Sequence, residues 1–367
     1  MSDETVRLIE KTADDLFAAE SETARAALAE GAWPERLWQT FAETGLAQAA
    51  LPEEAGGAGV VAGLAVLRAA GRHAAPIPVA ETMVGTLLCH AASIEAPAGP
   101  LSVHALPDGA GVGGVTTLPR VPWARFVSTV VVAAPGEGLA SCKPVDIGEG
   151  ANLAGEPRDD VTLAGPPDRF VSCPPEVDGF ALMALARAAQ LRGAMEHVLA
   201  MSVGYAQDRV QFGRPLARFQ AIQHYLAEIA GEAAATGAAV DAAPQAGTPF
   251  AFAAAKSRAS QAAGTVARLA HQVHGAIGYT AEHDLHIWTK RLWAWRDECG
   301  NEAHWWQVLG AETARGGGAA LWPTMVAASG SAVEEAASGG AVEEAASGSA
   351  VEEAASGSAA VEEGGSP

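Results

Sequence analysis

The sequence predicts an α fold with a small central β domain: an N-terminal helical domain, a short β region and a C-terminal four-helix bundle. Three observations carry this expectation. Apolar residues recur at helical spacing over the first part of the chain. Between about 100 and 172, Gly and Pro become dense and short β-branched runs appear. From about 177, long amphipathic stretches follow one another with short breaks, the pattern of an antiparallel bundle. These shifts divide the chain into 1–100, 101–174, 175–325 and an acidic repeat tail over 326–367.

In order along the chain, residues 4 to about 48 read as helical, with Val6, Leu8, Ile9, Leu16 and Phe17 at helical spacing and Pro34 near a helix start. LPEEAGGAG (51–59) interrupts as a loop, because its glycines permit backbone shapes closed to other residues. Helix resumes over about 60–72 and 79–92. Strands are clearest at FVSTVVVA (126–133) and 161–163. The bundle helices are expected over about 177–208, 217–240, 249–273 and 282–314, with Pro244 and Gly247 punctuating the second. The tail repeats AVEEAASG without aromatics and cannot bury enough surface to offset its ordering entropy, so a solvated, disordered extension is expected.

Half of the 367 residues are apolar, enough for a substantial core. The net charge is −20, and roughly −12 remains once the eight tail glutamates are set aside. That balance argues against nucleic-acid or anionic-membrane surfaces, which need clustered Lys and Arg. Cys89, Cys142, Cys173 and Cys299 are scattered without a CxxC pair, which fits a reduced, cytoplasmic setting. No secretory signal and no membrane span is expected.

Two segments carry candidate chemistry. YAQDRVQFGRPLARFQAIQ (205–223) sets Arg209, Gln211, Phe212, Arg214, Phe219 and Gln220 at a junction between helices; alone, it is equally a corner where Gly213 and Pro215 break the helix. QVHGAIGY (272–279) places Gly275 and Gly278 in a loop, and alone it is weak evidence of ligand binding. Together, in this order and about sixty residues apart, they resemble the C-terminal domain of the acyl-CoA dehydrogenase family, which shows Tyr…Arg-x-x-Phe-Gly…Gln followed by Gln-x-x-Gly-Gly-x-Gly-Tyr. LPEEAGGAG is similar to the family's Pro-Glu-Glu-x-Gly-Gly-x-Gly turn.

The resemblance implies FAD as cofactor and an acyl-CoA thioester as substrate. It implies dehydrogenation to a trans-2-enoyl-CoA, with an electron-transfer flavoprotein as electron acceptor. It carries Arg209 to the FAD pyrophosphate of a neighbouring subunit, a role suited to a guanidinium fork. Gln211, Phe212, Phe219 and Gln220 match positions flanking the same cofactor. Gln272, His274, Gly275 and Ala276 match the later loop, where small residues let backbone N–H groups approach the dinucleotide. Ala276 stands where the family has a second glycine.

The sequence also departs from the family. The usual catalytic Glu-Gly falls on Cys299-Gly300, so the candidate base is Glu298, one residue earlier; on a continuous helix that shift turns the side chain by about 100°. The alternative family position for the base lands near Met183. No Thr-x-Pro-x-x-Gly-Ser-Asp-type segment lies between 100 and 172. Residues reaching toward a neighbour's FAD are thus kept, while the chain's own flavin bed and base are degraded. This pattern, with Gly71-Arg72, Ala75-Pro76-Ile77-Pro78 and 121–125 (VPWAR), resembles one subunit of heteromeric α2β2 acyl-CoA dehydrogenases and implies a second dehydrogenase-like subunit as partner. The alternative is a non-catalytic subunit that completes the FAD site and stabilises a catalytic chain. His283, His286 and His304 match no ligand motif, so no metal is expected. Trp288, Trp293, Trp295, Trp305 and Trp306 read as core or interface packing.

Overall fold

The computed structural model describes residues 3–110, 115–167, 169–174 and 177–328. Four helices come first: α1 (Asp3–Ala29), α2 (Glu35–Glu43), α3 (Val60–Arg72) and α4 (Val79–Ala91). The helical stretch expected over 4–48 is two helices, separated at Gly31, which takes φ 82°, and the second starts after Pro34 as the sequence suggests. The 51–59 segment is a loop as expected. Gly56 and Gly59 have φ near +80°, and a Cβ on Gly57 would lie 2.1 Å from the Leu51 carbonyl oxygen.

The β region forms two three-stranded sheets. In one, β1 (Ser102–Ala105) runs parallel to β3 (Val130–Ala134), which pairs antiparallel with β4 (Gly138–Cys142). In the other, β6 (Arg158–Leu163) lies between β2 (Thr117–Pro122) and β5 (Pro144–Gly148), antiparallel to both. Strand β3 is buried along its whole length. Its alternation sends Val130, Val132 and Ala134 into the core between the sheets, with Leu118, Val121 and Val161. Val131 and Ala133 face the helical core.

The bundle begins with α5 (Gly179–Asp208), whose N-cap Asp178 accepts from the backbone N–H groups of Phe180 and Ala181. A two-stranded hairpin, β7 (Val210–Gln211) with β8 (Arg214–Pro215), connects α5 to α6 (Gln220–Ala246). Helix α6 runs through Pro244 and ends at Gly247, six residues later than the sequence suggests. Pro244 falls in the final turn, where little helix remains to be broken. Thr248 caps α7 (Pro249–His274). The expected fourth helix is also two: α8 (Leu285–Asp297) and α9 (Glu302–Gly316), followed by α10 (Gly318–Ala328). Between α8 and α9, Cys299 (φ 53°) and Gly300 (φ 84°) take left-handed backbone, and Asn301 caps α9 through the His304 N–H. Helix α10 absorbs residues 326–328, assigned from sequence to the tail; the tail beyond 328 lies outside the described residues.

Helices α3 and α5 cross at backbone contact. A Cβ on Gly71 would lie 2.0 Å from the Gln190 carbonyl oxygen, and one on Gly193 would lie 1.9 Å from that of Arg68. Neither carbonyl can retreat within a helix. Gly193→Ala is therefore expected to cost about 3 kcal/mol through forced separation of the helices. An unchanged urea midpoint would contradict this close approach.

Candidate active site and cofactor edge

Two places in the fold carry the candidate residues. The first lies at one end of the bundle and faces outward. Arg209 closes α5 as its C-cap, and the hairpin then turns at Phe212-Gly213, where Phe212 takes φ 54° and is 91% exposed. Arg209, Gln211 and Gln220 are exposed. Among the described residues no carboxylate pairs with Arg209, and the first turn of α6 has no side-chain cap. Phe219 is half-buried, with the Arg214 guanidinium 4.2 Å over its ring and Phe212 edge-on at 6.0 Å.

Alongside, α7 ends in a 3-10 turn over 275–279. Gln272, Gly275 and Ala276 are exposed. Gly275 takes φ 63°, and a Cβ placed on it would meet nothing within 4 Å, so open space lies over the backbone. His274, by contrast, turns inward: it is 3% exposed and stacks on Tyr205 at 4.5 Å. Its side chain is a packing element, and only its backbone is available to a ligand. The Tyr205–His274 stack joins the base of the hairpin to the turn.

The second place is a cleft of about 450 Å³ between β1, β2, α5 and the α8–α9 connection. Its floor is a buried chain of charges. Arg158 binds Glu298 in bidentate fashion, Nε to Oε1 at 2.8 Å and Nη2 to Oε2 at 2.9 Å. Arg187 Nε lies 2.9 Å from Oε2 of the same carboxylate, and Arg187 donates through Nη2 to Glu81. Glu156 receives Trp295 Nε1–H at 2.8 Å and pairs with Arg291 at 3.0 Å. Asn152 bridges Glu156 and Glu298 at 2.9 and 3.1 Å. Three carboxylates and three guanidiniums thus compensate one another across α4, α5, β6, α8 and the α8–α9 connection.

The electrostatics follow. Burial alone would raise the Glu298 carboxyl, but Arg158 and Arg187 outweigh it and hold it at about 2. Burial pushes the Cys299 thiol up to about 11, although Arg187 opposes the rise. Lys256, fully buried in α7, is lowered by burial to about 8. Its Nζ donates at 2.8 Å to Ser260 Oγ and to the carbonyls of Arg296 and Gly300, pinning the break between α8 and α9.

Glu298 does lie on irregular backbone, as a base offset from the usual position would require, yet both its oxygens are engaged by arginines. Met183 lines the same cleft and has no acid–base chemistry. Trp288, Trp295 and Trp305 are buried, while Trp293 and Trp306 are 38% and 50% exposed. Sequence reasoning missed the charge chain. Its signal was present as charges set within apolar runs, Glu81 in VAETMV and Arg187 in ALARAAQ.

The outward edge fits a dinucleotide, offering an unpaired guanidinium, an uncapped helix N-terminus, an exposed aromatic tip and open backbone at Gly275. In the cleft, Arg158 and Arg187 are committed to carboxylates.

The helical–β–helical order, the hairpin edge and the cleft define an acyl-CoA dehydrogenase fold, and the chain belongs to the acyl-CoA dehydrogenase family. The family models for the C-terminal and N-terminal domains match residues 177–296 and 3–96. The chain is 34% identical over 277 residues to the acyl-CoA dehydrogenase IpdE2 of Mycobacterium tuberculosis, covering 73% of this chain and 83% of that protein. Its identity to IpdE2 of Mycolicibacterium smegmatis is 32% over 282 residues, covering 74% and 86%. Among solved structures, a variant of the Tcur3481-Tcur3483 steroid acyl-CoA dehydrogenase is similar at TM-score 0.73 and 25% identity, covering 85% and 98%. The ChsE4-ChsE5 complex from M. tuberculosis shares the fold at TM-score 0.72 and 23% identity, covering 86% and 98%. Members of the family are FAD-dependent oxidoreductases acting on the CH–CH bond of acyl-CoA. Among the described residues no helix is long and apolar enough to cross a membrane.

Proposed function

We propose that this chain is one subunit of a heteromeric acyl-CoA dehydrogenase, completing an FAD site shared with a second dehydrogenase-like chain that supplies the catalytic base. The observation that carries the reading is the contrast between the two places: the outward edge is unpaired and exposed, whereas Glu298 is locked between two arginines. The reaction is α,β-dehydrogenation of an acyl-CoA to a trans-2-enoyl-CoA, with an electron-transfer flavoprotein as final acceptor. A bulky, steroid-type acyl group accords with the similarity to the Tcur3481-Tcur3483 steroid acyl-CoA dehydrogenase.

Bound FAD would supply the redox chemistry, the acceptor for the β-hydrogen leaving as hydride. This chain's part is to bind and orient. Arg209 offers its fork to the pyrophosphate, Gln211 and Gln220 offer amide hydrogen bonds, and Phe212 and Phe219 cover apolar surface. Gln272 and the backbone of His274, Gly275 and Ala276 flank the dinucleotide. Glu298, held at about 2, is a weak proton acceptor near neutrality. It holds Arg158 and Arg187 instead.

Native mass spectrometry of the protein purified from its own host tests the assembly: two kinds of chain and fewer flavins than chains are expected. A homotetramer with one flavin per chain would overturn the reading. Glu298→Gln is expected to leave turnover of the folded complex within about tenfold of wild type. A fall of about 10²–10⁴, the usual loss on removing a general base, would make Glu298 the base.

A further inference from the structure

We propose that His274 is a pH-responsive positioning residue: stacked on Tyr205, it holds the 275–279 turn in the shape that faces the shared cofactor, and its protonation opens that hold. The inference rests on the shared-cofactor reading. The geometry is a clasp of five rings. His274 stacks on Tyr205 from α5 at 4.5 Å and 23°, and His271 stacks on Tyr279 from the turn at 4.4 Å and 21°. His283, from the α7–α8 connection, meets His274 edge-on at 4.7 Å and Tyr205 at 5.9 Å. Gly278 seals the contact, since a Cβ there would lie 2.9 Å from His274 Cβ.

The clasp is built for a neutral imidazole. His274 Nδ1 lies 2.8 Å from the Ala270 carbonyl, which can only accept, so the proton sits on Nδ1. Nε2 is buried and has no partner. Protonating it would place an N–H where the described residues provide no acceptor. The titratable groups facing the ring are Tyr205 from α5, His271 on its own helix and His283 from the connection; among the described residues no carboxylate pairs with it. A charge on His274 is therefore uncompensated, and either neighbouring histidine, if charged, repels it. Burial accordingly lowers its pKa, with the two histidines adding to the shift and the Ala270 bond opposing it. Because the folded value lies below the unfolded one, the clasp is intact above about pH 6.5 and weakens as pH falls below that.

Tyr205 also stands one turn before Arg209, whose backbone N–H donates to the Tyr205 carbonyl at 2.9 Å, so the residue that holds the turn also lies in the last turn of the helix carrying the hairpin. Loosening the stack loosens both segments of the edge together.

Amide hydrogen exchange over 275–279 in the native assembly, with and without FAD, tests this at pH 7.5 and 5.5. Protection in the wild type is expected to fall by about fivefold beyond the intrinsic pH effect on exchange. His274→Phe keeps a stackable ring that cannot titrate, and its protection is expected to change less than about twofold. Tyr205→Leu removes the stack and should lower protection at both pH values. Equal pH responses of wild type and His274→Phe would overturn the proposal, as would unchanged protection in Tyr205→Leu. FAD retention separates this from the underlying reading. If Arg209→Ala keeps its flavin while the turn still responds to pH, the shared-cofactor reading falls and the clasp stands. If Arg209→Ala loses flavin and the turn does not respond, the clasp alone falls.

Discussion

Arg187→Met is expected to destabilise the protein by about 3–5 kcal/mol, the scale of breaking a buried ion pair from one side. The arginine is buried between Glu81 and Glu298 and also donates to Gln190 at 2.6 Å. Removing it strands the Glu81 carboxylate away from water, leaves Glu298 with Arg158 as its one remaining guanidinium, and disconnects α4 from the α8–α9 connection. Urea denaturation at pH 7 measures the loss; a change below about 1 kcal/mol would mean that water or a rearranged side chain reaches the carboxylates. The variant also makes a pH signature. With Glu298 held at about 2 against an ordinary value of 4.5, its contribution is fully present above pH 4.5 and is lost as pH falls from there toward 2. Without Arg187 the carboxyl is less strongly held, so that acid-side loss should be complete nearer pH 4.5 and be smaller in total.

Arg209→Ala is expected to weaken FAD binding by the native assembly by about 30-fold, the scale of losing charge-assisted hydrogen bonds to a phosphate group. Because Arg209 is exposed and pairs with no carboxylate among the described residues, its removal should leave chain stability within about 0.5 kcal/mol of wild type. The pairing of these two results is the informative part: a structural residue would move stability, and a residue reaching into a neighbour's cofactor moves affinity alone. Flavin fluorescence on dilution, with denaturation on the same samples, reads both. Unchanged flavin retention would remove Arg209 from the cofactor edge.

The outward edge was legible in the sequence because it is local. Arg209, Phe212, Phe219 and Gln220 lie within a dozen residues, and the Gly-bearing turn within eight, so their order and spacing survive in one dimension. The charge chain was not legible, since Arg187 meets Glu81 across 106 residues and Arg158 meets Glu298 across 140. Only the packing of α4 on α5, and of β6 on the α8–α9 connection, brings them together. The break after α8 was hidden by Trp305 and Trp306, which continue the aromatic pattern of Trp293 and Trp295. Gly300 followed by Asn301 was the available sign of a stop and a new cap. His274 was grouped with its exposed neighbours because a motif names positions, while the direction of a side chain is set by the turn of α7. The order of helical, β and bundle regions was read correctly from periodicity and composition, though individual helices were fused where a glycine separated them.

Strand β3 belongs to two interiors at once, with alternate residues in each. The middle region is therefore no exchangeable cassette. A substitution at Val131 is answered by the helical core, while one at Val132 is answered by the opposite sheet. Any chain that shortens this region must remove residues from the connections and leave the strand intact. Divergence among related proteins is then free to trim loops around the cleft, altering what can enter it, without renegotiating the joint that keeps sheets and helices in register.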